Sequence, residues 1–456
     1  IAPPDGRGVI AIDANSAAPA AARATMFQPD AAGKVPGRTN ELGWLAAGVP
    51  GVLAGLQVAL DRYGTRRLSD CIRPSIALAR DGFVLPANIA TAIKNFAGPL
   101  TSHAGGKALF LREGRLPAAG EKLRNPELAA VLETLAQRNS VDSFYRGDLA
   151  RQIAEDFARH GGLVTFQDLA AYRAKVVEPL RLGWDGREIV TPPLTAGGLT
   201  VLQCLHTLRA LRWGQFPPGV ENDHVYLEAL RLAWRDRLAL LGDPDFAKVP
   251  QDKLLSAAYA EESAAQVRSA VAAGKILTHA ATPREHGGTI NLSVVDRTGM
   301  MAAITLTHGN SFGACVTIAG LGVTLGHGMS RFDPEAGHPN APGPGKRPLH
   351  NMSPAIVLRD GRPVLAVGGR GGRKIPNAVL MALAHATLRD SSMEQAVAAP
   401  RVHTEGTSVT DFEPSWPAET RAALAQRGYT VKTSASATLS AVAFEPKTGE
   451  TRGAMR

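Results

Sequence analysis

The chain has 456 residues, 45% hydrophobic and 20% charged, so it carries enough apolar material for a large core and is not a disordered polymer. No apolar run reaches the ~20 residues that cross a bilayer, because stretches such as Val52 to Leu60 are broken by Gly55 and Gln57. The net charge of +9 comes from dispersed arginines rather than a Lys/Arg block, which leaves nucleic-acid binding unsupported and an anionic substrate compatible.

The sequence opens at Ile1 with neither an initiator Met nor a signal-peptide pattern, so a preceding segment is expected, and cytoplasm and periplasm both stay open. From about Leu53 to Leu277 helical patterns alternate with Pro/Gly-rich connections. Within Asp148–Arg159, Leu149, Ile153 and Phe157 recur every four residues and Gly161-Gly162 follows, which predicts a helix with its acids and arginines toward solvent. Thr165 to Asp168 has the form of a capping box, with Asp168 in the usual Glu/Gln place. Cys71, Cys204 and Cys315 are too few and scattered for a metal cluster or a disulfide framework and are expected to be packing residues.

After Gly287-Gly288 the pattern changes to two β runs, 289–296 and 300–307, around a three-residue turn in which Gly299 takes the left-handed position. Pairing Asp296 with Met300 places Thr289 opposite Thr307 on one face. Further hairpins are predicted at 356–365, turning at Asp360-Gly361, and at 441–450, with a helix from Pro376 to Leu388 between them. Strand runs with helices on separate stretches predict an α+β fold, a layered αββα sandwich, over a doubly wound parallel sheet.

By geometry alone, Thr289 and Thr307 are an ordinary cross-strand pair. The surrounding motifs change that. The segment Gly288-Thr-Ile-Asn-Leu-Ser-Val-Val-Asp296 resembles the start of the small subunit in the gamma-glutamyltransferase family, whose precursor cuts itself before such a Thr. Thr191-Pro-Pro-Leu-Thr-Ala-Gly-Gly198, Leu241-Gly-Asp-Pro-Asp-Phe246, Arg347-Pro-Leu-His-Asn-Met-Ser-Pro354 and Gly368-Gly-Arg-Gly-Gly372 resemble further family motifs, in the same order. The resemblance implies a four-layer αββα sandwich of the N-terminal nucleophile hydrolase type. It also implies a large subunit, 1–288, and a small subunit, 289–456, of one precursor that together form one intertwined catalytic domain.

The implied chemistry is amide hydrolysis or acyl transfer through an acyl-enzyme. A Thr hydroxyl is a weak nucleophile, and cleavage before Thr289 would supply a free α-amine, of ordinary pKa ~7.7–8.0, as its base. Gly288 at the scissile bond permits the strained backbone that an acyl shift needs. By the resemblance, Thr307 orients the Thr289 hydroxyl and Gly371 and Gly372 donate N–H groups to an oxyanion. The alternative for the latter pair is a plain Gly-rich turn; a phosphate loop is disfavoured because no Lys-Ser/Thr follows.

The recognition residues depart from the family. Its carboxylate-binding Arg falls on Asn15 and its Ser-Ser pair on His350 and Asn351. Its amine-binding Asn, Gln and Asp fall on Gly309, Gly328 and Arg331. A cation at position 331 repels a glutamyl ammonium and suits a carboxylate. His327, His308 and Arg373 add polar groups nearby, but the histidine spacing lacks a metal-ligand pair, so neither metal nor cofactor is expected. The expected substrate is an amide of a small acidic acyl group, oxamate-like or glutaryl-like. The alternatives are a true γ-glutamyl hydrolase or transferase and an inactive relative used for binding. No nucleic-acid partner and no membrane span are expected, and a homo-oligomer of the processed heterodimer is compatible.

Overall fold

The computed structural model describes residues 1–278 and 288–456. The chain divides into two compact units, one of Ile1–Ala11, Val176–Leu306 and Leu349–Arg456, the other of Ile12–Lys175 and Thr307–Pro348. Each draws residues from both sides of position 288, so the expected subunit boundary is not a boundary between compact units. No helix among the described residues is long and apolar enough to cross a membrane.

The first unit is built on strands β1 (Leu180–Trp184), β2 (Arg187–Thr191), β3 (Thr289–Val295), β4 (Met301–Thr307), β5 (Ala355–Arg359), β6 (Arg362–Arg370), β7 (Thr438–Glu445) and β8 (Glu450–Met455). Its principal helices are α1 (Gly198–Ala210), α2 (Val220–Leu240), α3 (Ala257–Ala272) and α4 (Lys374–Leu388). Six strands form an antiparallel sheet in the order β8-β7-β6-β5-β2-β1. Its residues are apolar on both faces because both are covered. Ile189, Val357, Val367, Leu439 and Ala441 pack into the helices, whereas Val190, Ile356, Leu358 and Ala366 pack with Met301 and Val295 of the β3–β4 hairpin. Each Val, Ile or Leu among them contributes roughly 1.5–3 kcal/mol when fully buried. Helices α1 and α4 are buried almost all round between their neighbours, α4 with a nearly continuous apolar surface and α1 with Gln203 and Thr207 hydrogen-bonded inside.

The β3–β4 turn follows the expected register. Asp296 N donates to Met300 O at 3.0 Å, and Thr305 Oγ1 donates to Asn291 Oδ1 of the paired position at 2.7 Å. Gly299 has φ 91°, and a Cβ there would lie 2.6 Å from the Phe444 ring. The outward row Ile290, Leu292 and Val294 is exposed by about half (56, 51 and 50%). A buried knot joins sequence-distant stretches of this unit. Glu228, fully buried, accepts from Tyr429 Oη, Arg231 Nη1 and Leu277 N, and Arg231 Nε donates to Thr407 O.

Two expectations fall short in this unit. The stretch read as helices and connections contains the β1–β2 hairpin, turning at Asp185 and Gly186 with φ 48° and 71°. The last predicted hairpin is longer than expected, β8 running to Met455.

The second unit is helical, with Val52–Tyr63, Leu68–Asp81, Pro126–Arg138 and Asp148–Arg159 around a core that includes Ile72, Leu135, Ile153, Phe157 and Ile318. The Asp148–Arg159 helix has its predicted bounds, and Leu149, Ile153 and Phe157 are buried. Asp156 is the exception to its solvent face. It is 3% exposed because it accepts from Arg159 Nη1 and from Ala319 N. The Thr165–Asp168 capping box forms, and Asp168 also accepts from Ala20 N. Cys204 and Cys315 are buried, but Cys71 is exposed: Leu68, Ile72 and Ile76 turn inward and leave it on the outer face of its helix.

Candidate active site

In the first unit, Thr289 opens β3, partly buried, directly after Gly288, whose φ of 136° is open to glycine and strained for other residues. The inward face of β3 continues through Asn291 and Ser293, which hydrogen-bond the Ser440 hydroxyl and carbonyl of β7 at 2.7 and 3.0 Å. Opposite Asn291 stands Gly368 of β6, where a Cβ would fall 2.1 Å from the Asn291 side-chain oxygen. The sheets approach this closely only because residue 368 has no side chain.

Strand β6 is followed by Gly371 and Gly372, with φ 135° and 63°, and Arg373 then caps the start of α4. A Cβ on Gly371 would meet Ala437 Cα at 2.8 Å. Among the described residues neither glycine N–H is donated to another protein group, while both carbonyls accept from the first turn of α4. Two free amides in a left-handed glycine turn form a concavity suited to a negatively charged oxygen.

Behind this turn lies a charged network that sequence reasoning did not find. Arg373 pairs with Glu405, Glu405 with His403, His403 with Asn377, and Asn377 accepts from Trp234 Nε1. Burial opposes ionisation of Glu405, but the His403 hydrogen bond and the Arg373 cation hold its carboxyl below the usual range. Arg237 of α2 is 3% exposed and donates through Nη2 to His350 O and Asn351 Oδ1, so it fixes the segment that carries two predicted binding residues. Burial, then the Arg373 cation, lower its pKa to about 10. The helix carries buried Glu228, Arg231 and Asp236 as well, so nothing in its pattern singled out Arg237. Gly197 belongs to the same joint: its N–H donates to Met352 O, and a Cβ would collide with Ser353 Oγ.

The second unit holds Asn15, Thr307, His308, His327 and Arg331. Asn15 is buried, donating to Pro348 O at 2.8 Å, and its Oδ1 faces Arg331 Nη1 at 3.5 Å, so two predicted binding residues do meet. Arg331 is half-buried and desolvation lowers its pKa to about 10, which still leaves it charged at neutral pH. Among the described residues no carboxylate pairs with it. His308 is open to solvent on one side, yet the protein packed around its ring, and then Arg331, hold its pKa down. His327 is buried, its Nδ1 3.2 Å from Glu41 O. Thr307 Oγ1 accepts from Gly309 N at 2.9 Å. No cluster of metal-ligating side chains occurs among the described residues.

A family model described as gamma-glutamyltranspeptidase matches residues 5–455. The chain belongs to the gamma-glutamyltranspeptidase family. It is similar to the glutathione hydrolase proenzyme of Escherichia coli, 36% identical over 86% of this chain and 70% of the relative. It is also similar to the acylase ACY 1 proenzyme of a Pseudomonas strain, 35% identical over 97% of this chain and 80% of the relative. Among solved structures, a cephalosporin acylase from Bacillus halodurans superposes with TM-score 0.86, 25% identical over 98% of this chain and 83% of that one. As a gamma-glutamyltranspeptidase-family protein, the chain is an α+β hydrolase or transferase of the N-terminal nucleophile class.

Two positions onto which the resemblance set out above places family side chains are closely packed. At Gly309, where the pattern has Asn, a Cβ would lie 1.7 Å from the His327 ring. At Gly328, where it has Gln, a Cβ would lie 2.1 Å from Ser16 Oγ. Neighbouring side chains fill the space that those family residues would need.

Proposed function

We propose that the chain cuts itself before Thr289 and that Thr289 then hydrolyses an amide of a small acidic acyl compound. In the precursor the Thr289 hydroxyl attacks the Gly288 carbonyl, the acyl group moves from nitrogen to oxygen and so frees the Thr289 amine, and water then hydrolyses the ester to release the Gly288 carboxylate and the Thr289 hydroxyl. In turnover that amine takes the hydroxyl proton as Oγ attacks the substrate carbonyl, and the oxyanion is held by the Gly371 and Gly372 N–H groups. The proton passes to the departing amine, leaving an acyl ester on Thr289. Water, activated by the same amine, releases the acid. Thr307, next in the register already seen at Asn291 and Thr305, is assigned to orient the hydroxyl. The free glycine amides, the φ of Gly288 and the family membership support this reading.

The substrate class rests on one observation, the charge on Arg331. A desolvated guanidinium with no carboxylate partner among the described residues is costly alone and favourable beside an anion. The family pattern puts an ammonium-binding carboxylate at this position. Exchanging it for Arg331, with Asn15 at its side, turns the recognition from ammonium to carboxylate. The similar proteins include an acylase proenzyme and a cephalosporin acylase, in keeping with an acyl amide as substrate.

Processing is tested on a denaturing gel. The 47.9 kDa chain, divided after residue 288 of 456, gives fragments of roughly 30 and 18 kDa, the smaller beginning at Thr289. Thr289→Ala is expected to stay whole and inert. An uncut wild-type chain would return the binding-protein reading. The processed protein is then assayed in parallel with γ-glutamyl-p-nitroanilide, glutaryl-p-nitroanilide and oxamate. Turnover of a substrate lacking the ammonium is expected; efficient turnover of the γ-glutamyl compound alone would overturn the charge argument.

A further inference from the structure

The glycine motif contains one residue that the proposed function does not use. Arg370 is the last residue of β6, exposed, directly before Gly371, and among the described residues it makes no ion pair or side-chain hydrogen bond. Its direction follows from the alternation of the strand. Val367 and Gly369 face the helices, since Val367 joins their core and a Cβ on Gly369 would touch Ile375. Ala366 and Gly368 face the hairpin, Ala366 packing with Met301 and Val295 and Gly368 meeting Asn291. Residue 370 therefore belongs to the hairpin-facing side.

Position along that face is also fixed. From the turn end of β3 inward, Val295 meets the apolar cluster of Ala366 and Phe444, then Ser293 and Asn291 meet Ser440 and Gly368. The next inward residue of β3 is Thr289; the next of β6 and β7 are Arg370 and its paired Thr438. The strands packed on β3 carry few other charges. Strand β4 has none but is followed at once by His308, whose pKa burial and the Arg331 cation hold down; the far end of β6 has Arg362 and the far end of β7 has Glu445, both at the opposite end from Thr289. Lys374 is tied to Ser434 and Ala435, and Arg373 is neutralised by Glu405.

We propose that Arg370 is a positioning residue that keeps the Thr289 α-amine in its neutral, proton-accepting form near neutral pH. This rests on the processing proposed above. A permanently charged guanidinium on the same face, carried by the position next to Thr289 in the packing order, disfavours the ammonium and leaves the free amine untouched, so the amine titrates below its ordinary range. Exposure to solvent screens the effect, which limits it to between about 0.5 and 1 pH unit. The family pattern has Pro at this place, so the device is a property of this chain.

The test reads the amine directly. Purified full-length protein, after processing, is labelled with trace acetic anhydride across pH 5 to 10, and acetylation of the Thr289 terminus is followed by mass spectrometry. Arg370→Gln is expected to raise the midpoint by about 0.5–1 pH unit. Arg370→Lys should keep the wild-type midpoint, and 1 M NaCl should raise it in the wild type as the glutamine variant does. Equal midpoints in wild type and Arg370→Gln, with Thr289 terminal in both, overturn this inference and leave the proposed function intact. If Arg370→Gln is not processed, the salt titration of the wild type decides alone, a flat midpoint refuting the inference. The absence of any Thr289 terminus in the wild type refutes both readings.

Discussion

Gly309 and His327 form a coupled pair in which each residue accounts for the other. The ring of His327 lies where a side chain at 309 would begin, and residue 309 has φ 101°. Restoring the family's residue by Gly309→Asn therefore introduces a clash together with backbone strain, and is expected to destabilise the protein by about 1–3 kcal/mol. His327→Ala opens the space, so the double variant should recover the steric part of that loss, a coupling of about 1 kcal/mol or more in urea unfolding. Additive effects would show that the ring is not the obstacle. Such pairs are invisible in the sequence: Gly309 and Gly328 read as missing functional groups, and only the fold brings His327 and Ser16 into that space. Arg237 escaped notice because its partners His350 and Asn351 lie far away along the chain, whereas Thr289, Gly371 and Gly372 stood within short motifs.

Helix α4 carries the glycine turn at its start and a titrating device at its end. His385 stands edge-on to Trp213 with ring centroids 5.7 Å apart, and Arg389, stacked over the same indole, follows one turn later. A helix C-terminus ordinarily favours a protonated histidine. Here burial, and then the Arg389 cation, win and lower its pKa from 6.5 to about 4. The folded ring stays neutral while the unfolded one takes up a proton. Its stabilisation is thus complete above about pH 6.5 and is lost as the pH falls toward 4. Allowing for partial exposure, this amounts to about 1–2 kcal/mol. Urea midpoints at pH 7 and 5 should differ less in His385→Gln than in the wild type; an unchanged difference would exonerate His385. At this scale the sequence was most readable where signals are local. The Asp148–Arg159 helix, the Thr165 cap and the Asp360-Gly361 turn all formed, each specified within a dozen residues. The β1–β2 hairpin carries the same kind of Asp-Gly signal at 185 and 186 but sits amid helices, and it joins the sheet only where β2 pairs with β5, far downstream. Asp156 departs from its amphipathic helix for the same reason, because Ala319 supplies its partner from a distant stretch.

Taken as a whole, the molecule is divided differently by its contacts and by its proposed cut. In the six-stranded sheet, β1 and β2 precede position 288 and β5 to β8 follow it, and the only ladder between the two groups is β2 against β5, from Arg187↔Arg359 to Val190↔Ile356. The Glu228 knot crosses the same position, with Arg231 and Leu277 before it and Tyr429 and Thr407 after it. Cleavage breaks none of these bonds, yet it changes the molecularity of making them. An intact chain holds its own halves at an effective concentration on the order of millimolar, and a cut one must find its partner in solution. Refolding of the Thr289→Ala precursor from urea should proceed at a rate independent of concentration, whereas the processed protein should regain structure more slowly on tenfold dilution. Equal concentration dependence would contradict this division. The mature protein would then be an assembly that its own pieces rebuild with difficulty, and its working lifetime would be governed by how slowly it comes apart rather than by the equilibrium under which it first folded.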